Sequence, residues 1–480
     1  MTVTRFAPSP TGYMHIGNLR TALYSYLIAK HDGGRFILRI EDTDRERFVE
    51  GATDIIKSTL RTTGLLWDEG PDVGGDHGPY VQSERKKIYL EYAKKLVDLG
   101  YAYYCFCSKE RLEKLHEEDA VGGYDRHCRN LSPEEVKRNL DAGMPYVIRQ
   151  KMPLTGVTSY TDSVFGEICM NNDELQDQIL IKADGFPTYN FCHVIDDHLM
   201  GVTHVVRGSE YLTSTPKYVL LYDAFGWERP CYVHLPLMMG KNPDGSVSKL
   251  SKRHGAVSFA DLLADGYLPE AIVNYIALLG WCPKESEQEF FTLDELVSAF
   301  TIDGISKSPA VFDYEKLLWF NGEYIHRMTD GEFSAKAEEF IHGNIPASVN
   351  KEKMLALLKT RIQKFSELDE RMAFFLSLPA YEKELYLNKK NKISEFETVR
   401  AVLTAAEEIL SGLTAFDNDT IFAALTPLAE RLGLKTGAVM WCLRIAVSGL
   451  AATPGGATEI MEVIGKDETL IRIAHALSIV

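Results

Sequence analysis

Three features that this 480-residue sequence lacks limit the kinds of protein that it can encode. It has no apolar run near the ~18 residues that a membrane span needs, so we expect no membrane partner. It does not begin with a charged segment followed by an apolar core, so we expect no secretory leader. Its eight cysteines are scattered except for Cys105 and Cys107. That distribution argues against a disulfide framework and favours a reducing compartment, the cytoplasm.

An excess of positive charge is absent as well. The sequence has 52 Lys and Arg against 68 Asp and Glu, a net charge of −16, which is not the composition of a generally basic nucleic-acid binder. A chain of this length, roughly three or four domains, can still place a basic face on an acidic body. Basic patches do occur, at Lys359, Arg361 and Lys364 and again at residues 389–392. Composition therefore leaves the partner open.

The stretch of residues 5–20 is the first candidate for a ligand site. Residues 3–7 are short and apolar, as in a buried strand, and the prolines and glycine that follow predict a turn. Apolar residues then recur with a helical period, which predicts a helix from His15. A helix N-terminus offers unpaired N–H groups and a positive dipole end, a natural seat for phosphate. Taken alone, the spacing is more typical of an ordinary strand–helix turn with a surface histidine.

A second strand over residues 35–40 would complete a parallel strand–helix–strand unit. Polar residues beyond the carboxyl end of a parallel strand lie where open α/β sheets bind ligands. Glu41 is therefore expected to face the same crevice as Ser9. The alternative for this charged segment is a loop that caps the next helix, with Thr43 or Asp44 as the N-cap.

Two later segments also place charged residues directly after a predicted strand or turn. Residues 202–206 form a predicted buried strand that ends in Arg207 and Glu210. Farther on, Asn-Pro-Asp-Gly predicts a hairpin turn. The loop after this turn has three cations in five residues, namely Lys249, Lys252 and Arg253. The loop is either a clamp on a polyphosphate or a solvated surface loop.

The segments between these sites differ in pattern. Residues 108–142 have a charged helical pattern and are followed by short strands, which predicts an inserted α+β unit. From residue 257 onward the period is almost entirely helical and no chemical motif occurs. A helical half without such a motif indicates binding rather than catalysis.

Cys105 and Cys107, with Cys128 farther on, form a candidate metal site. Two thiolates at positions i and i+2 can chelate zinc, although structural zinc sites more often use C-x₂₋₄-C spacing. The alternative is a pair of free thiols on a strand. The candidate fourth ligands nearby are Tyr124, His127 and His116.

Two motifs, taken together, indicate a family. His15-Ile-Gly-Asn18 and Lys249-Leu-Ser-Lys252-Arg253 resemble the HIGH and KMSKS signatures of class I aminoacyl-tRNA synthetases. By this resemblance the chain is identified as a member of the glutamyl/glutaminyl subgroup, as a bacterial-type glutamyl-tRNA synthetase. Further matching segments, which extend the resemblance over essentially the whole chain, are residues 5–12, 39–44, 189–191, 196–197, 206–210, 310–317, 433–435 and 443–449.

The resemblance implies a multidomain fold, α/β followed by all-α. A Rossmann-type catalytic domain with a parallel sheet would be split by an inserted α+β acceptor-stem-binding domain. A stem-contact domain with the KLSKR loop and two helical anticodon-binding domains would follow. The expected boundaries, in chain order, are residues 1–104, 105–188, 189–235, 236–325, 326–385 and 386–480. Glutaminyl members have β-barrel anticodon domains and shorter paralogues that modify a tRNA nucleoside lack the region, so a helical C-terminal half favours a glutamyl enzyme.

The same resemblance implies a ligase. L-glutamate would be activated with ATP and Mg²⁺ to glutamyl-adenylate and then transferred to the 3′ end of tRNA(Glu), with release of AMP and pyrophosphate. One alternative is an enzyme that also glutamylates tRNA(Gln). A less favoured one, because His15 and Lys252 are intact, is a non-catalytic synthetase-like tRNA-binding protein. The family expectation for the oligomeric state is a monomer.

Site residues follow from the resemblance position by position. Catalytic roles are implied for His15, Lys249 and Lys252. The implied ATP-binding residues are Pro8, His15, Ile16, Gly17, Asn18, Leu250, Ser251, Lys252 and Arg253. The implied glutamate-binding residues are Arg5, Ala7, Ser9, Glu41, Tyr189, His193 and Arg207, with Arg5 on the γ-carboxylate. The implied tRNA-binding residues are Arg45, Arg47, Glu210 and Arg361, and the zinc candidates are Cys105, Cys107, Tyr124 and Cys128.

Two departures from the family pattern bear on these roles. Zinc-binding members often have histidine two residues after the third cysteine, where this chain has Asn130. Tyr124 instead resembles the ligand set of the shorter paralogues. Asn18 replaces the last histidine of the HIGH signature, a variation that this subgroup tolerates.

Overall fold

The computed structural model describes residues 1–44, 47, 49–118, 123–242, 244–251, 254, 258–284 and 286–480. It divides into two compact units, Met1–Leu263 with Pro269–Tyr314, and Ala264–Leu268 with Glu315–Val480. Among the predicted site residues, Arg45, Lys252 and Arg253 lie outside the described ranges. Within those ranges no helix combines the length and the apolar character that crossing a membrane requires.

The first unit mixes strands and helices. Its elements in chain order are β1 (Val3–Phe6), α1 (Ile16–His31), β2 (Arg35–Leu38), α2 (Ala52–Thr62), α3 (Lys86–Asp98), β3 (Ala102–Cys105), α4 (Lys109–Glu118), α5 (Pro133–Asp141), β4 (Val147–Gln150), β5 (Val157–Asp162), β6 (Gly166–Asn171), β7 (Ile179–Ile181), α6 (Tyr189–Leu199), β8 (His204–Gly208), α7 (Thr215–Phe225), β9 (Cys231–Leu235), β10 (Met238–Lys241), β11 (Val247–Lys249), α8 (Phe259–Ala264), α9 (Pro269–Ala277), α10 (Leu293–Ala299) and β12 (Ala310–Phe312).

Parallel strands form the base of the first unit. Strand β1 pairs in parallel with β2, and helix α1 connects the two, which confirms the predicted strand–helix–strand unit. Strand β8 lies on the other side of β1, where Thr203 N donates a hydrogen bond to Val3 O at 2.9 Å, and β8 pairs in parallel with β9. The carboxyl ends of β1, β2 and β8 therefore meet at one edge. The Rossmann-type arrangement predicted from the sequence is confirmed.

The apolar residues of these strands form one buried cluster with the helices around them. Val3, Ile37 and Val205 belong to it, and Val219 of α7 and Tyr232 of β9 complete the packing. Helix α1 is buried on most of its surface, so it is fixed against the sheet along its length. A rigid support of this kind keeps the residues at the sheet edge in place.

The segment between β3 and β7 confirms the predicted inserted α+β unit. Strands β3, β4 and β7 form an antiparallel sheet, and β5 and β6 form an antiparallel hairpin. A single parallel pair, Asp162 with Tyr232, joins this hairpin to β9. Helix α5 begins with a capping box in which the side chains and backbones of Ser132 and Glu135 satisfy each other.

One alternative interpretation was wrong, and one short strand was not predicted. Helix α2 begins at Ala52 with Gly51 as its N-cap, so neither Thr43 nor Asp44 caps it. Gly51 has φ of 79°, a conformation that glycine adopts without strain. The region after residue 257 also contains β12, a three-residue strand that pairs in parallel with β10. A strand of three residues is too short to reveal a period in the sequence.

The predicted hairpin before the cationic loop is present. Strands β10 and β11 are antiparallel, with Gly240 opposite Ser248 and Met239 opposite Lys249. Asn242 N donates to Ser246 O at 2.8 Å and closes the turn. The hairpin thus places Lys249 at the end of β11, an edge strand that pairs with β10, and β10 is held on its other side by β12.

The second unit is helical within its described residues. Its helices are α11 (Tyr314–Arg327), α12 (Asp330–Ala337), α13 (Lys351–Lys359), α14 (Leu368–Leu376), α15 (Phe396–Ser411), α16 (Asn418–Arg431), α17 (Thr436–Ser448), α18 (Ala457–Ile464) and α19 (Lys466–Ile479). Arg472 of α19 is buried and donates to Phe374 O, Phe375 O and Val447 O at 2.7, 3.1 and 2.6 Å. One guanidinium therefore satisfies carbonyls at the C-terminal ends of α14 and α17, where positive charge is favourable.

Candidate active site

A cavity of about 230 Å³ opens at the carboxyl edge of β1 and β8. It brings together six of the seven predicted glutamate-binding residues, namely Arg5, Ala7, Ser9, Glu41, Tyr189 and Arg207. Residues far apart in the sequence meet here because the ends of parallel strands share one edge. We call this space the amino-acid cavity.

Arg5 is held at the wall of the amino-acid cavity by two contacts. It is only 4% exposed. Its Nε donates to Asp197 Oδ1 at 2.9 Å and its Nη1 donates to Val206 O at 3.2 Å. The Nη2 group of Arg5 takes no part in these two contacts. A fixed guanidinium of this kind is suited to bind a carboxylate.

Asp197 is shared by two arginines. Arg39 is fully buried, and its Nη1 lies 2.8 Å from the same Oδ1 of Asp197 that Arg5 contacts. Burial acts to raise the pKa of Asp197, but the charges of Arg5 and Arg39 outweigh it and hold that pKa well below its usual range. Asp197 is therefore a permanent anion that fixes both guanidinium groups.

Glu41 is a buried carboxylate that also lines the amino-acid cavity. Its Oε1 accepts from Arg39 Nη2 at 3.0 Å and from Gln82 Nε2 at 3.2 Å. Both contacts are to Oε1, so they leave Oε2 for a ligand. Burial raises the pKa of Glu41 to about 7, although Arg39 and Arg5 act to lower it. This group changes charge near neutral pH.

His193 supports the cavity from behind and does not line it. Burial, aided by the charge of Arg207, lowers the pKa of His193 to about 3, so the ring is neutral. The Nδ1–H group donates to Tyr189 O at 2.7 Å, which leaves Nε2 as the acceptor 3.4 Å from Arg207 Nη1. The Arg207 guanidinium also lies 4.8 Å from the ring centre of Tyr218. These contacts fix the second arginine of the cavity.

A second cavity of about 300 Å³ shares part of its wall with the first. It is lined by His15 and Gly17 of the HIGH-like motif and by Lys249 and Leu250 of the KMSKS-like motif. Both cavities include Asn18, Thr21, Gly208 and Glu210. We call this space the nucleotide cavity. The structure thus brings the two sequence motifs together, as the resemblance implies.

His15 is the N-cap of α1. Its Nδ1 accepts from Gly17 N at 3.0 Å. Burial and then the nearby charge of Lys249 lower the pKa of His15, so the ring is neutral and its proton is on Nε2. Gly17 leaves room for this ring, since a Cβ at Gly17 would lie only 3.3 Å from Nδ1. The site therefore presents an N–H donor at the positive end of the α1 dipole.

The remaining predicted ATP residues are placed as follows. Pro8 lines the amino-acid cavity, and the side chain of Ile16 is fully buried in the core. Leu250 is buried, and its N–H donates to Met238 O at 3.0 Å. Ser251 follows at the end of the hairpin, where its N–H contacts the ring of His254.

Sequence reasoning assigned no role to several residues around the two cavities. Arg20 lines the nucleotide cavity and donates from Nη1 to Leu279 O at 3.0 Å and from Nη2 to Pro236 O. Its signal in the sequence is a charge at a buried position of the helix, four residues after Ile16. Asp196 is the second case, a buried anion that accepts from Arg85 Nε at 2.7 Å and Gln82 Nε2 at 2.9 Å.

The cysteine cluster lies in the inserted unit. The sulfur atoms of Cys105, Cys107 and Cys128 lie within 4.8 Å of one another. The Tyr124 hydroxyl is 3.2 Å from Cys105 Sγ and 3.7 Å from Cys107 Sγ. The Arg149 guanidinium lies 3.9 Å from the Tyr124 ring centre. Three sulfurs and one phenolic oxygen that converge in this way fit a tetrahedral zinc ion.

The predicted tRNA contacts are distributed over both units. Glu210 lines both cavities, and the exposed Arg47 is paired with Asp44 at 2.8 Å. In the second unit, Arg361 donates to Pro454 O at 3.0 Å and lines a cavity of about 780 Å³ that Arg371 and Phe374 also line. A cavity with arginines and an aromatic ring is suited to an unpaired base.

Two family models match this chain. The model of the catalytic domain of class I tRNA synthetases (E and Q) matches residues 1–319. The model of the anticodon binding domain matches residues 326–477. The architecture and the two facing motifs are thus those of a class I tRNA synthetase.

Individual relatives narrow this class. The chain is 55% identical over 474 residues to the glutamate–tRNA ligase of Clostridium tetani (strain Massachusetts / E88), which covers 98% of this chain and 96% of that protein. It is 53% identical over 481 residues to the glutamate–tRNA ligase of Clostridium kluyveri, covering 99% and 97%. The fold also matches a crystal structure of a glutamate tRNA ligase from Elizabethkingia meningosepticum in complex with its amino acid. The TM-score is 0.91, the two sequences are 37% identical, and the match covers 99% of both chains. The chain belongs to the glutamate–tRNA ligase family, as its motifs predicted.

Proposed function

We propose that this protein joins L-glutamate to tRNA in two steps, through a glutamyl-adenylate. The observation that carries the proposal is the wall that the two cavities share. One cavity presents two fixed arginines and a carboxylate, and the other presents the HIGH-like and KMSKS-like motifs. An amino acid and a nucleotide bound on either side would meet at this wall.

Glutamate fits the charges of the amino-acid cavity. We assign Arg5 Nη2, with Arg207 beside it, to the γ-carboxylate, and Glu41 Oε2 to the α-ammonium group. Ser9 is assigned to the α-carboxylate. Glutamine has no charge on its side chain, so it would leave the buried guanidinium of Arg5 without an anion, which disfavours it.

Activation requires attack by an α-carboxylate oxygen of glutamate on the α-phosphorus of ATP. The bond between the α-phosphorus and the bridging oxygen breaks, and pyrophosphate leaves. Charge grows on the phosphate oxygens, and we assign its stabilisation to His15 Nε2–H, the start of α1 and Lys249, since His15 and Lys249 line the nucleotide cavity. We assign the same task to Lys252 and Arg253 from the motif alone. Mg²⁺ bound with ATP would neutralise part of the phosphate charge.

Glutamate-dependent exchange of pyrophosphate into ATP tests this function. Exchange is measured with and without tRNA, because some synthetases activate their amino acid only with tRNA bound. Glutamate-dependent exchange in either condition is the expected result, and glutamine should support little. A complete lack of exchange in both would favour a synthetase-like binding protein.

We propose tRNA(Glu) as the acceptor and the cytoplasm as the location. The second step moves glutamate from the adenylate to a terminal ribose hydroxyl and releases AMP. Arg361 and its cavity are assigned to the anticodon, while Arg45, Arg47 and Glu210 are assigned to the acceptor end. Binding should weaken steeply with salt, since lysines and arginines would contact phosphates.

Two tRNA species distinguish strict from relaxed specificity. A strict enzyme charges tRNA(Glu) alone, and a relaxed enzyme also charges tRNA(Gln). We propose the strict form, as a monomer. Charging assays with each tRNA and sedimentation of the free protein provide the tests.

We also propose that the cysteine cluster with Tyr124 binds one structural zinc ion. Its support is the convergence of the four donor atoms around one point. Metal analysis of protein purified without a histidine tag should give one zinc per chain. Cys105→Ser should abolish this zinc, while Cys169→Ser, at an exposed cysteine outside the cluster, should retain it.

A further inference from the structure

The ring of His254 lies against the hairpin that presents the KMSKS-like motif. Its Nδ1 accepts from Ser251 N at 3.0 Å, and its Nε2 lies 3.0 Å from Asn242 Oδ1. The backbone N–H of His254 donates back to Ser251 O at 2.9 Å. One side chain thereby connects Ser251 of the KMSKS-like motif to the turn of the hairpin.

Gly240 makes this position of the ring possible. It lies in β10, and the three atoms nearest to a Cβ built there all belong to the His254 ring, at 2.6, 2.7 and 2.9 Å. Real Cβ atoms do not approach other atoms so closely, so an alanine at this position would displace the ring. Gly240 is also paired with Ser248, directly before Lys249 in the opposite strand.

We propose that His254 is a positioning residue which holds the described part of the signature loop, residues 249–251, on the hairpin and so keeps Lys249 directed at the nucleotide cavity. The inference rests on the proposed function, because it assigns Lys249 to the phosphates of ATP. Neither His254 nor Gly240 lines either cavity, so both act through other residues.

The physical argument concerns the placement of charge. A lysine stabilises the leaving pyrophosphate only if it is in place before the reaction, since reorganising it during the reaction costs activation free energy. A displacement of about 1 Å can lower a rate on the order of a hundredfold. The contacts of the His254 ring with Ser251 and Asn242 would hold residues 249–251 in place before the reaction.

A double-mutant cycle tests the proposal. His254→Ala should lower kcat of glutamate-dependent pyrophosphate exchange by about tenfold to a hundredfold and raise KM for ATP, with KM for glutamate almost unchanged. Gly240→Ala should have a similar effect, because it displaces the same ring.

In the double variant the effect should equal that of His254→Ala alone, since the Cβ at position 240 then meets no ring. Gly331→Ala, where a Cβ meets nothing within 4 Å, is the matched control.

A readout that does not depend on activity separates this proposal from the proposed function. Trypsin cleaves after lysine and arginine, so its rate within residues 249–253 reports how firmly the loop is held. His254→Ala and Gly240→Ala should both be cleaved several-fold faster than the wild type. His254→Asn, whose Oδ1 can replace Nδ1 as the acceptor for Ser251, should be intermediate and covers the case in which His254→Ala fails to fold.

The outcomes divide clearly. Additive effects of the two substitutions, or equal cleavage rates in all variants, would overturn the role of His254. If the wild-type protein shows no exchange but the variants are cleaved faster, the role of the ring in holding the loop stands and the proposed activity fails.

Discussion

Arg5 Nε lies 2.9 Å from Asp197 Oδ1, although 192 positions separate the two residues in the sequence. This ion pair is almost fully buried. It determines the direction of the guanidinium that we assign to the γ-carboxylate of glutamate. Under this assignment, selection of the substrate would depend on α6, which supplies Asp197, as much as on the strand that supplies Arg5.

Replacing Arg5 should affect the amino acid and spare the nucleotide. Arg5→Ala removes a charge-assisted contact of about 1.5–3 kcal/mol, so kcat/KM for glutamate should fall on the order of tenfold to a hundredfold. KM for ATP in the exchange assay should change by less than about threefold. Comparable losses for both substrates would contradict the assignment. Arg229→Ala, at a partly exposed arginine paired with Asp223, serves as the control.

Asp197→Asn should cost stability as well as activity. The substitution leaves Arg5 and Arg39 buried near a neutral amide, and breaking a buried ion pair in this way typically costs about 3–5 kcal/mol. Urea unfolding should show this loss. The double variant Arg5→Ala with Asp197→Asn should lose less than the sum of the single variants, because one unpaired charge is removed. Simple addition of the two losses would show that the pair is not coupled.

Glu41 should make the binding of glutamate depend on pH. Its pKa is raised to about 7, and only its carboxylate form attracts the α-ammonium group. KM for glutamate should therefore fall as pH rises from about 6 to about 8. Glu41→Gln should bind glutamate weakly at every pH in this range. A wild-type KM that is constant across it would show that Glu41 is ionised throughout.

The same pKa shift predicts an opposite trend in stability. Between the usual value of 4.5 and about 7 the folded chain keeps the proton of Glu41 while the unfolded chain loses it. The folded pKa is the higher one, so the favourable contribution is present below 4.5 and is lost as pH rises through 7. The loss is about 3 kcal/mol over this window. Unfolding by urea at both ends should show this decline in the wild type and not in Glu41→Gln.

His15 has two tasks that two substitutions can separate. His15→Asn keeps an acceptor for Gly17 N and a good N-cap residue, so thermal stability should change little. It removes the Nε2–H donor, so kcat of exchange should fall about a hundredfold. His15→Ala should show the same catalytic loss and an additional loss of about 1 kcal/mol in unfolding free energy. Full activity in His15→Asn would show that only the cap matters.

Much of this site could be predicted from the sequence, for reasons that differ between residues. Arg5, Glu41 and Arg207 follow or end predicted parallel strands, and the common edge of such strands brings them together. His15 was ambiguous alone, and the downstream motif with Lys249 decided its interpretation. The structure then places these two residues on one cavity wall.

Other parts could not be predicted because they depend on tertiary contacts. Asp197 belongs to a helical pattern, and nothing local shows that its two partners are Arg5 and Arg39. The closeness of Gly240 to the His254 ring depends on how the loop folds back, which hydrophobic period does not reveal. Strand β12 is defined by its parallel pairing with β10, a tertiary contact.

The four residues common to both cavities have a consequence for inhibitor design. Asn18, Thr21, Gly208 and Glu210 border both spaces, so the two cavities are direct neighbours. A single molecule that joins a glutamate-like part to an adenosine-like part would occupy both with one loss of translational freedom. Its affinity should exceed that of either part by several orders of magnitude.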